Sequence, residues 1–311
     1  MQMFKNVLIT GANAGLGRET ARQLAEQPQI EKIYLACRNA EKAEAAQNAL
    51  ASQTRRDIFE VLILDVADPT SVRQAVLKIK TPLDAVVLNA GGSGGKSPNE
   101  LTKDGVTTIF AANVLGHTVL VEELLARQLI TSTVVYSSSE AARGIPRMGV
   151  AKPEIKEASL DEFAAIADGS KFGPTADPLA VYGTIKLVGT LWMASMARKH
   201  PHVRFVSMSP GGTTGTNGMD DLPFFKKLMF KHIGGSIMPL FGMMHSVETG
   251  ARRYLDALEN LSFKSGHFYA SDKGSPTGPV VDQLTIDPAF TELSNNLSAQ
   301  DNAYGAIQQF V

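Results

Sequence analysis

Residues 8–19, LITGANAGLGRE, carry a short apolar run into three glycines and then into a helical pattern. Gly11, Gly15 and Gly17 allow a tight turn and let the backbone approach a bound anion closely. A helix starting here would offer free N–H groups and the positive end of its dipole to a phosphate. The spacing is G-x-x-x-G-x-G, not the G-x-G-x-x-G of the common dinucleotide fingerprint. The strand before it and the helix after it therefore carry the argument. A glycine-rich turn without a ligand is the competing reading.

Further along the chain, short apolar runs alternate with helical stretches. NVLIT (6–10), KIYLAC (32–37), FEVLILD (59–65), DAVVLNA (84–90), STVVYSS (132–138) and VRFVSMS (203–209) read as buried strands, with GHFYAS (266–271) a weaker seventh. GRETARQLAEQ and EKAEAAQNALAS read as helices between them. Continuous apolar strands separated by helices imply a parallel sheet covered on both faces, the doubly wound α/β arrangement. No Pro/Gly/Ser-rich linker divides the 311 residues, so a single domain over 1–311 is expected. Residues 140–181 and 211–245 interrupt the alternation after strands, near the carboxyl ends where ligands of open α/β sheets bind.

Bulk composition narrows the function. The net charge of −1 gives no reason to expect a nucleic-acid or anionic-membrane partner. One cysteine, Cys37, excludes an internal disulfide and is compatible with a reducing cytoplasm. The six histidines have no tight ligand spacing apart from His200 and His202, which flank Pro201 in an expected turn, so no metal is expected. The first apolar run is too short for a signal peptide or a membrane span, and no run of eighteen apolar residues follows.

The stretch VYGTIKLVG (181–189) sets Tyr182 and Lys186 one helical turn apart, on one face. A phenol ionises near pH 10, and a neighbouring ammonium would lower that value. Such a tyrosine could exchange a proton with a substrate oxygen near neutral pH. The pair alone is also a common accident of helix surfaces. At the end of the second expected strand, Cys37 and Arg38 stand where an acid would favour NAD. A guanidinium can instead pair with a 2′-phosphate, so NADPH is the expected cofactor, with Arg18 a second candidate cation. Asp65 suits the adenine edge or, alternatively, a turn cap ahead of DPTSV.

Together these residues resemble the short-chain dehydrogenases/reductases, a Rossmann-type family. The marks are TGANAGLG (10–17), LDV (64–66), NAG (89–91), NVLGH (113–117), SSS (137–139), YGTIK (182–186) and SPGG (209–212). The resemblance implies Tyr182 as general acid in reduction and base in oxidation. It implies that Lys186 lowers the phenol pKa and holds the nicotinamide ribose, and that Asn113 anchors a relay water. Ser139 would hydrogen-bond the substrate oxygen, with Ser138 as rival. Gly11, Asn13, Gly15, Leu16, Gly17, Asp65, Val66, Asn89, Ala90, Gly91, Pro210, Gly211 and Thr213 would line the cofactor. The cofactor supplies the hydride and no metal is needed.

Ser139 and Tyr182 lie 43 positions apart, wider than in ordinary members. That gap, with LACRNAEKAEAA and SGHFYASDK, is similar to the branch holding protochlorophyllide oxidoreductase-like and retinol-dehydrogenase-like members. The former group uses an active-site cysteine, whereas Cys37 lies in the nucleotide half. A relative of that branch without its light-driven chemistry is therefore expected. The leading function is NADPH-dependent reduction of a carbonyl, or oxidation of an alcohol, on an apolar small molecule. Reduction of a carbon–carbon double bond in a large conjugated substrate is the alternative enzyme reading, and a non-catalytic nucleotide-binding regulator is the alternative of another class. A homo-oligomer is compatible with each.

The stretch LPFFKKLMFKHIGGSIMPLFGMMH (222–245) begins as an amphipathic helix carrying Phe224, Phe225, Leu228 and Met229. Its position after SPGG favours a flap over an apolar substrate, with Gly234 and Gly235 as hinge. Core packing, a dimer contact or a membrane-surface helix are the alternatives.

Overall fold

The structure is a computed structural model that describes residues 4–93, 97–214, 244–272 and 274–311. Of the expected flap, residues 222–245, all but the last two lie outside the described residues.

Among the described residues, eight strands form one sheet in the order β3-β2-β1-β4-β5-β6-β7-β8. They are β1 Asn6–Thr10, β2 Lys32–Cys37, β3 Phe59–Ile63, β4 Leu83–Leu88, β5 Ile130–Ser137, β6 Arg204–Met208, β7 Phe268–Ser271 and β8 Val280–Asp282. β1 to β7 run parallel, and β8 pairs antiparallel with β7. The eighth strand is not among the seven expected from sequence. It has three half-buried residues, too few for a periodic signal.

Among the described residues the helices are α1 Gly15–Ala25, α2 Ala40–Thr54, α3 Pro69–Val76, α4 Thr108–Ala126, α5 Leu160–Ala167, α6 Pro178–Lys199, α7 Val247–Glu259, α8 Pro288–Asn295 and α9 Leu297–Gln308. Successive strand residues point to opposite faces, so each strand feeds two cores. Leu8, Val86, Val134 and Phe205 pack with α3, α4, α5, α6 and α9. Ile9, Val87, Val135 and Val206 pack with α1, α2 and α7. Each such large apolar side chain stabilises the fold by about 1.5–3 kcal/mol relative to exposure. α4 and α6 are long and apolar enough to cross a membrane by length and composition, yet most of each is buried in the first of these cores.

Local signals explain the helix starts. Asn39, Asp68, Ser159, Asp177 and Ser246 each accept a backbone N–H at the N-terminus of α2, α3, α5, α6 and α7. α1 is the contrast, because Ala14 at its cap position has no side chain that can accept. The order of strands reverses direction between β1 and β4, which places the ligand crevice of such a sheet at their carboxyl ends. The 140–181 segment, expected as loop, holds two short 3₁₀ turns, Glu140–Arg143 and Pro146–Met148, and then α5.

Candidate active site

The β1–α1 turn is built for close packing. Gly11 and Gly15 have φ of +67° and +53°, where side chains are disfavoured. A Cβ on Gly17 would stand 2.5 Å from the Gly11 carbonyl oxygen and 2.6 Å from Asn89 Nδ2. That Nδ2 donates to the carbonyls of Thr10 (2.9 Å) and Gly11 (3.4 Å), and Ala90 N–H donates to Thr10 Oγ1 (2.9 Å). Asn89 and Ala90 thus bind the end of β4 to the turn. Leu16 packs into the core beside α7, within reach of Gly250.

Asn13, Ala14, Arg18, Lys42, Ala45 and Ala46 line a cavity of about 300 Å³ beside this turn. Arg38 is exposed at the end of β2. Lys42 is a cation that sequence reasoning missed. Its position one helical turn after Arg38, in the first turn of α2, was the available signal. Cys37 lies buried beneath, and burial pushes its thiol up to about 11 although the Ala12 and Asn13 N–H groups act the other way. Asp65 Oδ1 accepts from Ala67 N–H at 2.9 Å. The Val66 carbonyl sits where a Cβ on Gly116 would be, 1.7 Å away, so α4 can pack here only with glycine at that position.

At the other end of the crevice, β4, β5 and β6 meet α4 and α6. Ser139 caps the 3₁₀ turn by accepting from Ala141 N–H at 3.2 Å, and its hydroxyl favours the ionised form of the nearby Tyr182 phenol. Ser138 faces elsewhere. It is buried, with Oγ 2.9 Å from Thr190 Oγ1 on α6. Lys186 Nζ donates to the Ser137 carbonyl at 2.7 Å and lies 5.5 Å from the Tyr182 ring centroid. Gly91 borders both groups, because a Cβ there would lie 3.6 Å from Nζ and 2.4 Å from Asn113 Oδ1.

Charge tuning differs from the sequence expectation. Burial pushes the Tyr182 phenol up to about 12, with the Ser139 hydrogen bond acting against it. Burial also pushes the Lys186 ammonium down to about 7. The lysine is itself desolvated, so near neutral pH it is not a full standing charge, and desolvation of the phenolate dominates.

Asn113 sits in a π-helical turn of α4, Ala111–Leu115. Its Nδ2 donates to Gly92 O (2.9 Å) and Ile109 O (2.8 Å), and its Oδ1 accepts from Gly92 N–H (3.1 Å). The Asn113 main-chain carbonyl lies 3.1 Å from the Tyr136 hydroxyl, which donates to it, and 3.3 Å from His117 Nδ1. His117 Nε2 is 3.1 Å from Thr10 Oγ1, and burial pushes the imidazole down to about 3, so it is neutral. Tyr136 and His117 are positions that sequence reasoning assigned no role. Gly189 admits the former, since a Cβ there would lie 2.3 Å from the Tyr136 hydroxyl.

After β6, Gly211 has φ +78°, and Thr213 Oγ1 turns back to the Gly211 carbonyl at 3.1 Å. His245 Nε2 lies 2.7 Å from the Pro210 carbonyl, and Thr213 and His245 form a β-bridge. Among the described residues, no group of three or more His, Cys, Asp or Glu side chains is arranged to hold a metal.

This crevice, a glycine turn facing a Ser–Tyr–Lys group across a doubly wound sheet, defines a nucleotide-dependent oxidoreductase class. The sequence profile of the family described as short chain dehydrogenase matches residues 5–150. Over those residues the chain is similar to that family. It is 29% identical to protochlorophyllide reductase B, chloroplastic, of Hordeum vulgare over 310 residues, covering 92% of this chain and 75% of that protein. It is 38% identical to retinol dehydrogenase 12 of Bos taurus over 131 residues, covering 41% of this chain and 40% of that protein. Salutaridine reductase of Papaver somniferum shares the fold, with TM-score 0.60 and 20% identity over 85% of this chain and 99% of that one. A short chain dehydrogenase of Shigella flexneri complexed with NADP does so with TM-score 0.58 and 20% identity, over 85% and 95%.

Proposed function

We propose that the chain is an NADPH-dependent oxidoreductase acting on the carbonyl or alcohol carbon of an apolar small molecule, with Tyr182 as proton donor and acceptor. The observation that carries this reading is the convergence of Ser139, Tyr182 and Lys186 at the end of β5, with Lys186 Nζ on the Ser137 carbonyl and 5.5 Å from the Tyr182 ring, and Ser138 turned away to Thr190.

The residues fit a dinucleotide phosphate. The uncapped start of α1 leaves its N–H groups free, the Gly11–Gly17 contact leaves no room for side chains, and Arg18, Arg38 and Lys42 supply cations. Gly11, Asn13, Gly15, Leu16 and Gly17 would hold the diphosphate, Asp65 and Val66 the adenine end, and Asn89, Ala90, Gly91, Lys186, Pro210, Gly211 and Thr213 the nicotinamide half. When bound, NADPH supplies the hydride.

The protein's own task is the proton. A phenol held near 12 stays protonated at neutral pH and is ready to give its proton to a substrate oxygen. Ser139 Oγ donates a second hydrogen bond to that oxygen and aligns it with the phenol. Protonated Lys186, anchored on the Ser137 carbonyl, stabilises the phenolate left behind. Ala141, Ile145 and Val150, with Met148, pack against Tyr182 and form an apolar wall suited to an apolar substrate.

A second reading is reduction of a conjugated carbon–carbon double bond. It is favoured by the alignment of a protochlorophyllide reductase over 92% of this chain. Following NADPH absorbance against ketones, aldehydes and conjugated alkenes, with wild type beside Tyr182→Phe, tests both readings. Turnover in wild type and its loss in the variant are expected.

A further inference from the structure

A buried ionic cluster lies directly behind Ser139. Glu140 is the next residue and is 3% exposed. Its Oε1 accepts from Ser209 Oγ (3.0 Å), Ser271 N–H (2.9 Å), Ser271 Oγ (2.8 Å) and Arg253 Nη1 (3.4 Å). Its Oε2 accepts from Arg143 Nε (3.0 Å) and Nη2 (2.5 Å). Arg143 and Arg253 are also buried. Arg143 Nη2 reaches the Ser275 carbonyl (2.8 Å), and Arg253 Nη2 reaches the Gly278 carbonyl (2.9 Å).

The cluster therefore joins the carboxyl ends of β5, β6 and β7 with α7. Its connections run to the site from both sides. Ser209 Oγ, which donates to Glu140, accepts from Gly211 N–H at 3.1 Å. Arg253 Nη1 donates to the Ser209 carbonyl at 3.2 Å. On the other flank, α6 packs on the same 3₁₀ turn beside Tyr182, because a Cβ on Gly183 would lie 2.5 Å from the Ala141 carbonyl.

Desolvating one carboxylate and two guanidiniums is costly, and well-packed apolar residues often stabilise such a place equally or better. What the ions add here is direction. Each hydrogen bond fixes one strand end relative to another.

We propose that Glu140, Arg143 and Arg253 are positioning residues that set Ser139 and the Pro210–Gly211 turn relative to one another, and so hold the substrate oxygen against the cofactor side of the crevice. This rests on the reading of Ser139 and Tyr182 given above.

Glu140→Gln keeps the shape and removes the charge. Measured well below its melting temperature, it should lose about a hundredfold in kcat, the scale of small misplacement in an active site. Its NADPH affinity should be little changed, and its isotope effect with NADPH deuterated at the transferred position should be larger. The triple variant Glu140→Leu, Arg143→Met, Arg253→Met should melt as high as wild type and still turn over slowly.

A readout independent of turnover is hydrogen exchange. Amides 139–143 and 209–213 should lose protection together in Glu140→Gln. Wild-type kcat in the folded glutamine variant, or unchanged protection of both segments, overturns the proposal. Tyr182→Phe and Ser139→Ala run as controls in the same assay. If both turn over like wild type, the site reading itself fails, and the exchange result still decides whether the cluster couples the two turns.

Discussion

Exchanging each of two adjacent serines for alanine should split stability from chemistry. Ser139 Oγ faces Tyr182 and otherwise accepts one backbone N–H, from Ala141 at 3.2 Å. Ser139→Ala loses that cap, for about 1 kcal/mol of stability. It also removes the donor proposed for the reacting oxygen, and loss of one such donor costs about 2.7–4 kcal/mol of transition-state stabilisation, or about 100- to 1,000-fold in kcat. Ser138 Oγ lies 2.9 Å from Thr190 Oγ1, which in turn donates to the Lys186 carbonyl at 2.9 Å. Ser138→Ala leaves the Thr190 hydroxyl without this partner in a buried place, for about 1–3 kcal/mol of stability. Its kcat should stay within a few-fold of wild type because the Lys186 backbone keeps its Thr190 bond. Thermal melts give the first quantity, with a shift of about 2–4 °C per kcal/mol. Steady-state NADPH oxidation with a ketone or aldehyde substrate gives the second. A hundredfold loss in Ser138→Ala with near-normal turnover in Ser139→Ala would refute the geometry on which the site is built.

Three further outcomes follow from the same structure. NADPH should bind more tightly than NADH by about ten- to a hundredfold, as a charge-assisted contact of about 1.5–3 kcal/mol implies; titration of wild type, Arg38→Ala and Lys42→Ala checks it, and equal affinity of the wild type for both cofactors sinks it. Reduction should slow as pH rises through about 7, because Lys186 is pushed down to about 7 and loses its proton there while the phenol, near 12, keeps its own; a flat profile of kcat/KM across that pH contradicts it. Gly17→Ala should cost about 1–3 kcal/mol of stability and weaken NADPH binding, since the new methyl meets the Gly11 carbonyl oxygen at 2.5 Å and Asn89 Nδ2 at 2.6 Å; unchanged binding by calorimetry argues against the turn as the phosphate site.

The first two strands were fully legible, since β1 and β2 fall on the runs 6–10 and 32–37. Parallel strands buried on both faces appear as unbroken apolar runs, and that signal survives without tertiary context. β8 gave no such signal, because three half-buried residues following Pro279 make no pattern. The choice between Ser138 and Ser139 depended on which way the chain leaves β5, which the run of three serines does not encode. The π-turn at Asn113 has no periodic signature either, and it puts the Asn113 carbonyl within reach of Tyr136 and His117. The upward shift of Tyr182 was missed because spacing shows the neighbour at 186 but not the desolvation of both groups. In the Glu140–Arg143–Arg253 cluster, Arg253 lies more than a hundred positions from the other two, so the fold alone brings it in.

The most direct test of the account is Tyr182→Phe, with turnover and NADPH affinity measured on the same preparation. In the proposed mechanism the phenol acts on the substrate oxygen beside Ser139, far from the phosphate cradle proposed at the β1–α1 turn. The account predicts that turnover of a carbonyl substrate is almost abolished and NADPH affinity stays near wild type. Wild-type turnover in the phenylalanine variant would contradict it.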